Sequence, residues 1–571
     1  MNVPSNRGVI LGLLLAALVF HLAVAWQDIG VLAKNGFLYD DSFYAFKIAE
    51  NIAHGRGMTF DGATPTNGFQ PLYVLLLVPF FAAAGSSLTA PIYGALSLSA
   101  LLTALSAVLL YRLLRRYVRD GVAAVTSIVW AFSPIVTRQS ANGLETSLAL
   151  FLFAACVYFY VSRIRSADRP RRQDFLVMGL LLGLAALARV DQVFVALAML
   201  LDYLLVLRKR GTGARTLPGV AAAVVAGIVV YSPWLVVSAI GAGAFWQDSG
   251  AATRFLSIAY APLFNLGSTE TMADGPSASF IWGHVLHALA VLKISPPVHL
   301  VFRALEKIGV TLGAGAILKI VADALGILFI VLFVYPAMRR GKGRTSPSIG
   351  ELRFLLIVAV VLISAYSFYV FGVFFFTRYL YPVYFIACVY AAFLLEMLVT
   401  RPVRLGRPAR AIVAAGLVLY AAGFAYMSFT SAFRTTPVYF FYDVARWVRE
   451  HTDPDEKIGV FQGGAIGYFS HRTVVNLDGK VNRGALDALK GHRLPAYLEQ
   501  EGIDVILDSS NVLNLFLFEN EKGGLRRYVA LEKIMNGSRE GFAGWVAYRF
   551  HGWEVEGVGG VPGAPHSSPS N

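Results

Sequence analysis

Pro71-Leu72-Tyr73-Val74-Leu75-Leu76-Leu77-Val78-Pro79-Phe80-Phe81-Ala82-Ala83-Ala84 is the stretch on which the reading of the whole chain turns. It is apolar enough to enter a bilayer, yet its roughly 14 residues fall short of the ~20 that cross a hydrocarbon core. Pro79 interrupts it and Gly85 ends it. Counted as a span, it would put the basic cluster Arg112/Arg115/Arg116/Arg119 on the outer face. Counted as a re-entrant or interfacial helix, it leaves that cluster on the same side as Arg163/Arg165/Arg169/Arg171/Arg172, Arg208/Lys209/Arg210/Arg215, Arg339/Arg340/Lys342/Arg344 and Arg401/Arg404/Arg407/Arg410. The positive-inside rule makes that side cytoplasmic.

Composition agrees with a chain built for lipid. Of 571 residues, 56% are hydrophobic and 15% charged, against about 25% charged in soluble domains. Net charge is +14, which would normally suggest nucleic acid. Most of the excess sits in short clusters between apolar runs, so it reads as topology and excludes a nucleic-acid partner. Cys156 and Cys388 fall inside apolar runs and read as small hydrophobes, with no disulfide or zinc pattern.

The fold expected is a polytopic α-helical membrane protein of about eleven transmembrane helices: 9–26, 92–111, 121–138, 147–162, 175–190, 193–207, 217–239, 312–336, 353–376, 380–399 and 411–431. The first is read as uncleaved, with its N-terminus in the cytoplasm. Residues 1–431 then form a transmembrane domain with outer loops 27–91 and 241–311, the second carrying amphipathic pieces at Ile281–Lys293 and His299–Ile308. After Ser431 the composition turns charged. A helix is expected over Tyr439–Glu450, strands at Ile458–Phe461, Thr473–Leu477 and Val505–Leu507, and a helix over Pro495–Glu501. This gives a soluble extracytoplasmic α/β domain over 432–556, followed by a Gly/Pro/Ser-rich disordered tail, 557–571.

The chemistry is concentrated just beyond the first span, in Tyr39-Asp40-Asp41-Ser42-Phe43-Tyr44. An Asp at a helix start is an ordinary cap, but a cap accounts for only one of two adjacent carboxylates. Desolvation and mutual repulsion raise a carboxyl's pKa and suit one of the pair to act as a base. The topology carries Glu145, Asp191 and Arg378 to the same membrane face, where ionisable groups are costly and are functional candidates. Ordinary readings stand beside these: an Arg at a span end snorkels to headgroups, and Arg189 and Asp191 can simply pair. His54, His284 and His287 match no metal spacing. Gly463-Gly464-Ala465-Ile466-Gly467 lacks the dinucleotide spacing and reads as a structural turn.

Several of these segments together resemble the type-C glycosyltransferases, which include protein O-mannosyltransferases, the aminoarabinose transferase of lipid A and actinobacterial arabinofuranosyltransferases. They are the acidic pair, the helix exit Ala49-Glu50-Asn51-Ile52-Ala53-His54-Gly55-Arg56-Gly57, and the opening Pro71-Leu72-Tyr73 of the short helix. Gly143-Leu144-Glu145-Thr146, Arg189-Val190-Asp191 and Arg378-Tyr379-Leu380-Tyr381-Pro382 are similar to further elements of that family. The resemblance spans about residues 1–430. It implies a glycosyltransferase that inverts at the anomeric carbon, with Asp40 as general base and Asp41 as the second acid. Glu145, Arg138, Arg189, Asp191, Arg254, Arg378 and Tyr379 are the residues expected to bind substrate.

One departure matters. The aminoarabinose transferase carries a Lys before its Pro for the lipid phosphate, whereas here Phe69 and Gln70 precede Pro71. The phosphate-binding role is then open between Arg378, Arg189, Arg138 and Arg254, since a guanidinium offers phosphate a bidentate fork.

The functional expectation is transfer of one sugar from a polyprenyl-phosphate donor to a glycan, lipid or protein acceptor outside the cytoplasm, by an enzyme of the cell (inner) membrane. The acceptor is expected near Gly463–Tyr468 and Asn476–Asn482. Asp41 and Glu145 are placed to orient hydroxyls or to help hold a divalent cation, whose requirement the residues leave open. The alternative of a different class is a transporter or flippase of lipid-linked saccharide. Such proteins tend to carry inverted repeats, and no obvious repeat is found. A sensor whose outer region binds glycan is the third reading.

Overall fold

The structure, a computed structural model, describes residues 6–34, 36–167, 169–210, 213–259, 349–367, 378–400, 440–519, 531–539 and 542–550. The first part is helical. α1 (Arg7–Ala25), α2 (Ile29–Lys34) and α3 (Asp40–Ala53) lead to α4 (Pro71–Ala83). In α4, Pro71 occupies the first turn, where its missing N–H costs no hydrogen bond. This short helix packs against α3 and against α5 (Ala90–Leu114).

α6 (Asp120–Ala131) and α7 (Pro134–Ser140) replace the single span expected over 121–138; the two are bent by 56°. Pro134 causes the break, because proline cannot donate to the preceding turn and its ring excludes helical geometry before it. Ser133 caps the new helix by accepting from Val136 N–H. α8 (Thr146–Phe159) runs on through a π-helical turn, Tyr160–Arg165. α9 (Arg172–Ala188), α10 (Gln192–Arg210), α11 (Gly213–Gly241) and α12 (Asp248–Ala259) follow, then α13 (Arg353–Ser367) and α14 (Tyr381–Thr400). Among the described residues, four helices are long and apolar enough to cross a membrane, and five if the bent pair counts as one. α1 and α11 turn Leu11, Val19, Ile228 and Val229 outward, each at least half exposed, a surface suited to lipid. The expected spans 312–336 and 411–431, the pieces Ile281–Lys293 and His299–Ile308, and the tail lie outside the described residues.

At one end of the bundle the basic loop segments are fastened by acids from neighbouring helices. Arg115 pairs with Asp120 at 2.6 Å and Arg119 with Glu396 of α14 at 3.2 Å. Fully buried Asp202 of α10 accepts from Arg165 at 2.8 Å, Arg353 at 3.3 Å and Tyr160 at 2.8 Å.

The C-terminal region opens with α15 (Phe440–His451), then β1 (Lys457–Val460), α16 (Gly464–Phe469), β2 (Thr473–Asn476), α17 (Arg483–Lys490), α18 (Leu494–Glu501) and β3 (Val505–Ser509). A hairpin, β4 (Leu531–Arg539) and β5 (Phe542–Phe550), completes a five-stranded sheet of order β2-β1-β3-β5-β4. β2 and β3 run parallel to β1 on either side of it, while β5 is antiparallel to β3 and β4 to β5. Strand order therefore reverses at β1, since β2 lies on one side of it and β3 on the other, the arrangement that leaves a crevice beyond the strand's carboxyl end.

Alternation along the strands buries both faces. Val475, Leu477 and Ile506 join Leu486's neighbours Ala485 and Leu489 of α17, together with Leu498 of α18. Ile458, Val460, Val474, Val505 and Leu507 instead join the core of the membrane helices. Tyr468 of α16 sits among Phe43, Phe46 and Phe81 of α3 and α4. The sheet thus shares a core with α3 and α4 rather than hanging free of them.

Candidate active site

Asp40 and Asp41 form the first turn of α3, yet that helix has no side-chain cap hydrogen bond. The carboxylates face elsewhere. Asp40 Oδ1 accepts from Ala465 N–H at 2.8 Å, and Oδ2 from Gly464 N–H at 3.1 Å. These amides stand just beyond β1, in the crevice at its carboxyl end. Gly464 is required there, because a Cβ would lie 2.2 Å from the Asp40 carbonyl oxygen. Asp41 meets Arg378 Nη1 at 3.2 Å and Lys480 Nζ at 3.4 Å. Lys480 also pairs with buried Asp478 at 3.3 Å, and its backbone carbonyl fills the space a Cβ on Gly68 would need.

These surroundings drive the two carboxyls apart. Burial pushes Asp40 up to about 6, reinforced by Asp41 and opposed by the Ala465 and Gly464 N–H groups and the Lys480 ammonium. Burial acts on Asp41 as well, but the Lys480 and Arg378 cations outweigh it and hold its carboxyl below the ordinary value.

A second cluster adjoins the first. Arg189, in the turn between α9 and α10, donates from Nη1 to Glu145 at 2.7 Å. It grips Asp191 through Nε at 3.2 Å and Nη2 at 2.9 Å. Tyr366 of α13 also hydrogen-bonds Asp191, and its ring stacks on Tyr379 at 4.5 Å. The Arg189 and Arg378 guanidinium carbons lie 5.2 Å and 5.0 Å from the Tyr379 ring centroid, so Tyr379 links the two clusters. Tyr73 of α4 donates to Gly143 O at 2.8 Å and ties the short helix to the turn that carries Glu145.

The structure thus brings together Asp40, Asp41, Glu145, Arg189, Asp191, Arg378 and Tyr379. Arg138 and Arg254 lie exposed on α7 and α12, outside this buried cluster. Lys480, Asp478 and the Gly464 and Ala465 amides had no individual signal in the sequence; only the segments around them stood out as an acceptor face. For a divalent cation the donor set does not fit. Asp41 and Glu145 face Lys480, Arg378 and Arg189, and no three His, Cys, Asp or Glu side chains among the described residues are grouped to hold a metal. His54 is exposed, and His284 and His287 lie outside the described residues.

The helical frame with an acid-rich end, capped by a sheet, has counterparts. Residues 71–237 match the family model of dolichyl-phosphate-mannose-protein mannosyltransferase. An archaeal oligosaccharyltransferase, AglB from Archaeoglobus fulgidus, solved with an inhibitory peptide and a dolichol-phosphate, aligns over 96% of this chain and 75% of its own. Its TM-score is 0.53 at 16% identity. ArnT from Cupriavidus metallidurans, bound to undecaprenyl phosphate, aligns over 95% of this chain and 98% of its own, with TM-score 0.54 at 14% identity. The chain has the type-C glycosyltransferase fold. Residues 431–555 match a domain of unknown function, DUF8728, so in this chain the type-C frame is joined to a sheet of unassigned role. No curated protein matches the chain in sequence.

Proposed function

We propose that the chain is a glycosyltransferase of the cell membrane that moves one monosaccharide from a polyprenyl-phosphate donor to a glycan, lipid or protein acceptor on the extracytoplasmic side. The observation that carries this reading is the acidic pair, with one carboxyl raised toward neutrality and its neighbour kept ionised by two cations. Pairs whose environments separate their pKa values are how acid–base roles are divided. The type-C fold and the family match over 71–237 support the donor class.

In this mechanism Asp40 takes the proton from the acceptor hydroxyl as its oxygen attacks the anomeric carbon, with inversion. The bond from that carbon to the phosphate oxygen breaks, and the polyprenyl phosphate leaves with the electron pair. Arg378 and Lys480, both beside Asp41, supply the positive charge that the leaving phosphate needs. Arg189 is already committed to two carboxylates and acts as the hub that fixes Glu145 and Asp191. Residues 432–556 form an extracytoplasmic domain, and the acceptor enters beside Gly463–Tyr468 and Asn476–Asn482.

The test offers purified protein in proteoliposomes a panel of radiolabelled polyprenyl-phosphate sugars, mannose and arabinose included, with an isolated cell-envelope fraction as acceptor. Wild type should label the fraction, and Asp40→Asn should do so about 10²- to 10⁴-fold more slowly. Undiminished transfer by Asp40→Asn would remove Asp40 from the mechanism.

A further inference from the structure

The loop beyond β1 presents five consecutive backbone N–H groups to side-chain oxygens. Phe461 and Gln462 N–H donate to Asp508 Oδ2 at 3.1 and 3.0 Å. Gly463 N–H donates to the Tyr44 hydroxyl at 3.0 Å, which also accepts from Asn476 Nδ2 at 3.1 Å. Gly464 and Ala465 N–H donate to Asp40. Such a run of convergent amides is an anion-binding concavity, here filled by one carboxylate from β3 and one from α3. Helical backbone bonding resumes only with Gly467 N–H on Gly463 O, so the loop's shape depends on these three side chains.

Asp508 is fully buried and has no part in the mechanism above. Only Gly463 separates the amides it holds from those that hold Asp40. Phe461–Ala465 are consecutive, so the amides held by Asp508 and those held by Asp40 belong to one short turn. We infer that Asp508 is a positioning residue for Asp40, acting through the backbone of Phe461–Ala465. This rests on the reading of Asp40 as the base, and it gives the sheet a role: the C-terminal region aims and ionises the carboxylate that the membrane part provides. The groups facing Asp40 are Asp41, Lys480, Tyr44 and Asp508. Two N–H bonds favour its charged form against burial, so their loss raises the pH at which it ionises.

Two measurements on the full chain in nanodiscs test this. Hydrogen exchange, read on peptides covering 461–465, should show the Gly464 and Ala465 amides protected in wild type and released in both Asp40→Ala and Asp508→Ala. Release confined to Phe461 and Gln462 in Asp508→Ala overturns the coupling. With labelled polyprenyl-phosphate mannose or arabinose, whichever wild type uses, Asp508→Ala should lower kcat about 10- to 100-fold, leave KM for the donor within about twofold, and move the acidic limb of kcat to higher pH. Asp508→Asn, whose amide oxygen still accepts, should recover most of the rate. A limb moved to lower pH would mean that Asp40 feels only the Asp508 charge, and an unchanged kcat and limb would mean that the loop is scaffold; either overturns the inference. Exchange coupling that holds while wild type transfers no sugar of the donor panel would sink the glycosyltransferase reading and leave the positioning intact.

Discussion

The two ends of α8 each carry a buried carboxylate cluster, arranged to opposite purposes. At its far end, beyond the π-helical turn, Arg165 joins Arg353 and Tyr160 around one carboxylate, Asp202. The cations outnumber the acid and their long side chains reach toward the rim. At its near end, about 30 Å away along the helix, one guanidinium, Arg189, serves two carboxylates, and the sheet lies over the neighbouring acidic pair. The first arrangement fastens loops with charges that water can partly serve. The second keeps more acids than a fastening needs and gives Asp40 and Asp41 different partners. Burial alone therefore does not mark a site; an excess of acids with divergent surroundings does.

Removing the hub cation should break this contrast most severely. Arg189→Met leaves Glu145 and Asp191 buried without their common partner, and about 3–5 kcal/mol of stability should be lost, read as a collapse of the thermal unfolding temperature in detergent. At the other end, Asp202→Asn should cost less, about 1–3 kcal/mol, because the freed Arg353 is already a third exposed. Its transfer rate should stay near wild type once the protein is folded; a rate loss beyond the stability loss would erase the distinction between the ends. Smaller again is the effect on the site's own cations. Lys480→Ala should slow transfer about tenfold, whereas exposed Arg138→Ala and Arg254→Ala should stay within about twofold, each checked with the labelled donor.

How far the sequence discloses this varies by element. β1, β2 and β3 are short apolar runs bounded by turns, and the structure places strands within a residue or two of the expected limits. The β4–β5 hairpin was not foreseen: Glu532, Lys533, Gly537 and Arg539 dilute the alternation of β4, which is an edge strand. The break between α6 and α7 was written in Ser133-Pro134 but lost inside a run apolar enough to pass for one span. In the site, the adjacent acids were legible because two carboxylates exceed what a cap needs. Their partners were not, since Gly464, Ala465 and Lys480 lie more than 400 residues away and meet the pair only through packing. Arginines at helix ends were ambiguous for a different reason. Position along a helix fixes the height of Arg138 and Arg378 but not which way each side chain turns.

The most direct test of the account is kcat against pH for transfer from the labelled polyprenyl-phosphate sugar. Asp40 must be ionised to accept the acceptor's proton, and its carboxyl is pushed up to about 6. The wild-type rate should therefore fall as pH drops through about 6, while Asp40→Asn stays low and flat. A wild-type rate constant from pH 5 to 8, or an Asp40→Asn profile that keeps the same limb, would contradict Asp40 as the base.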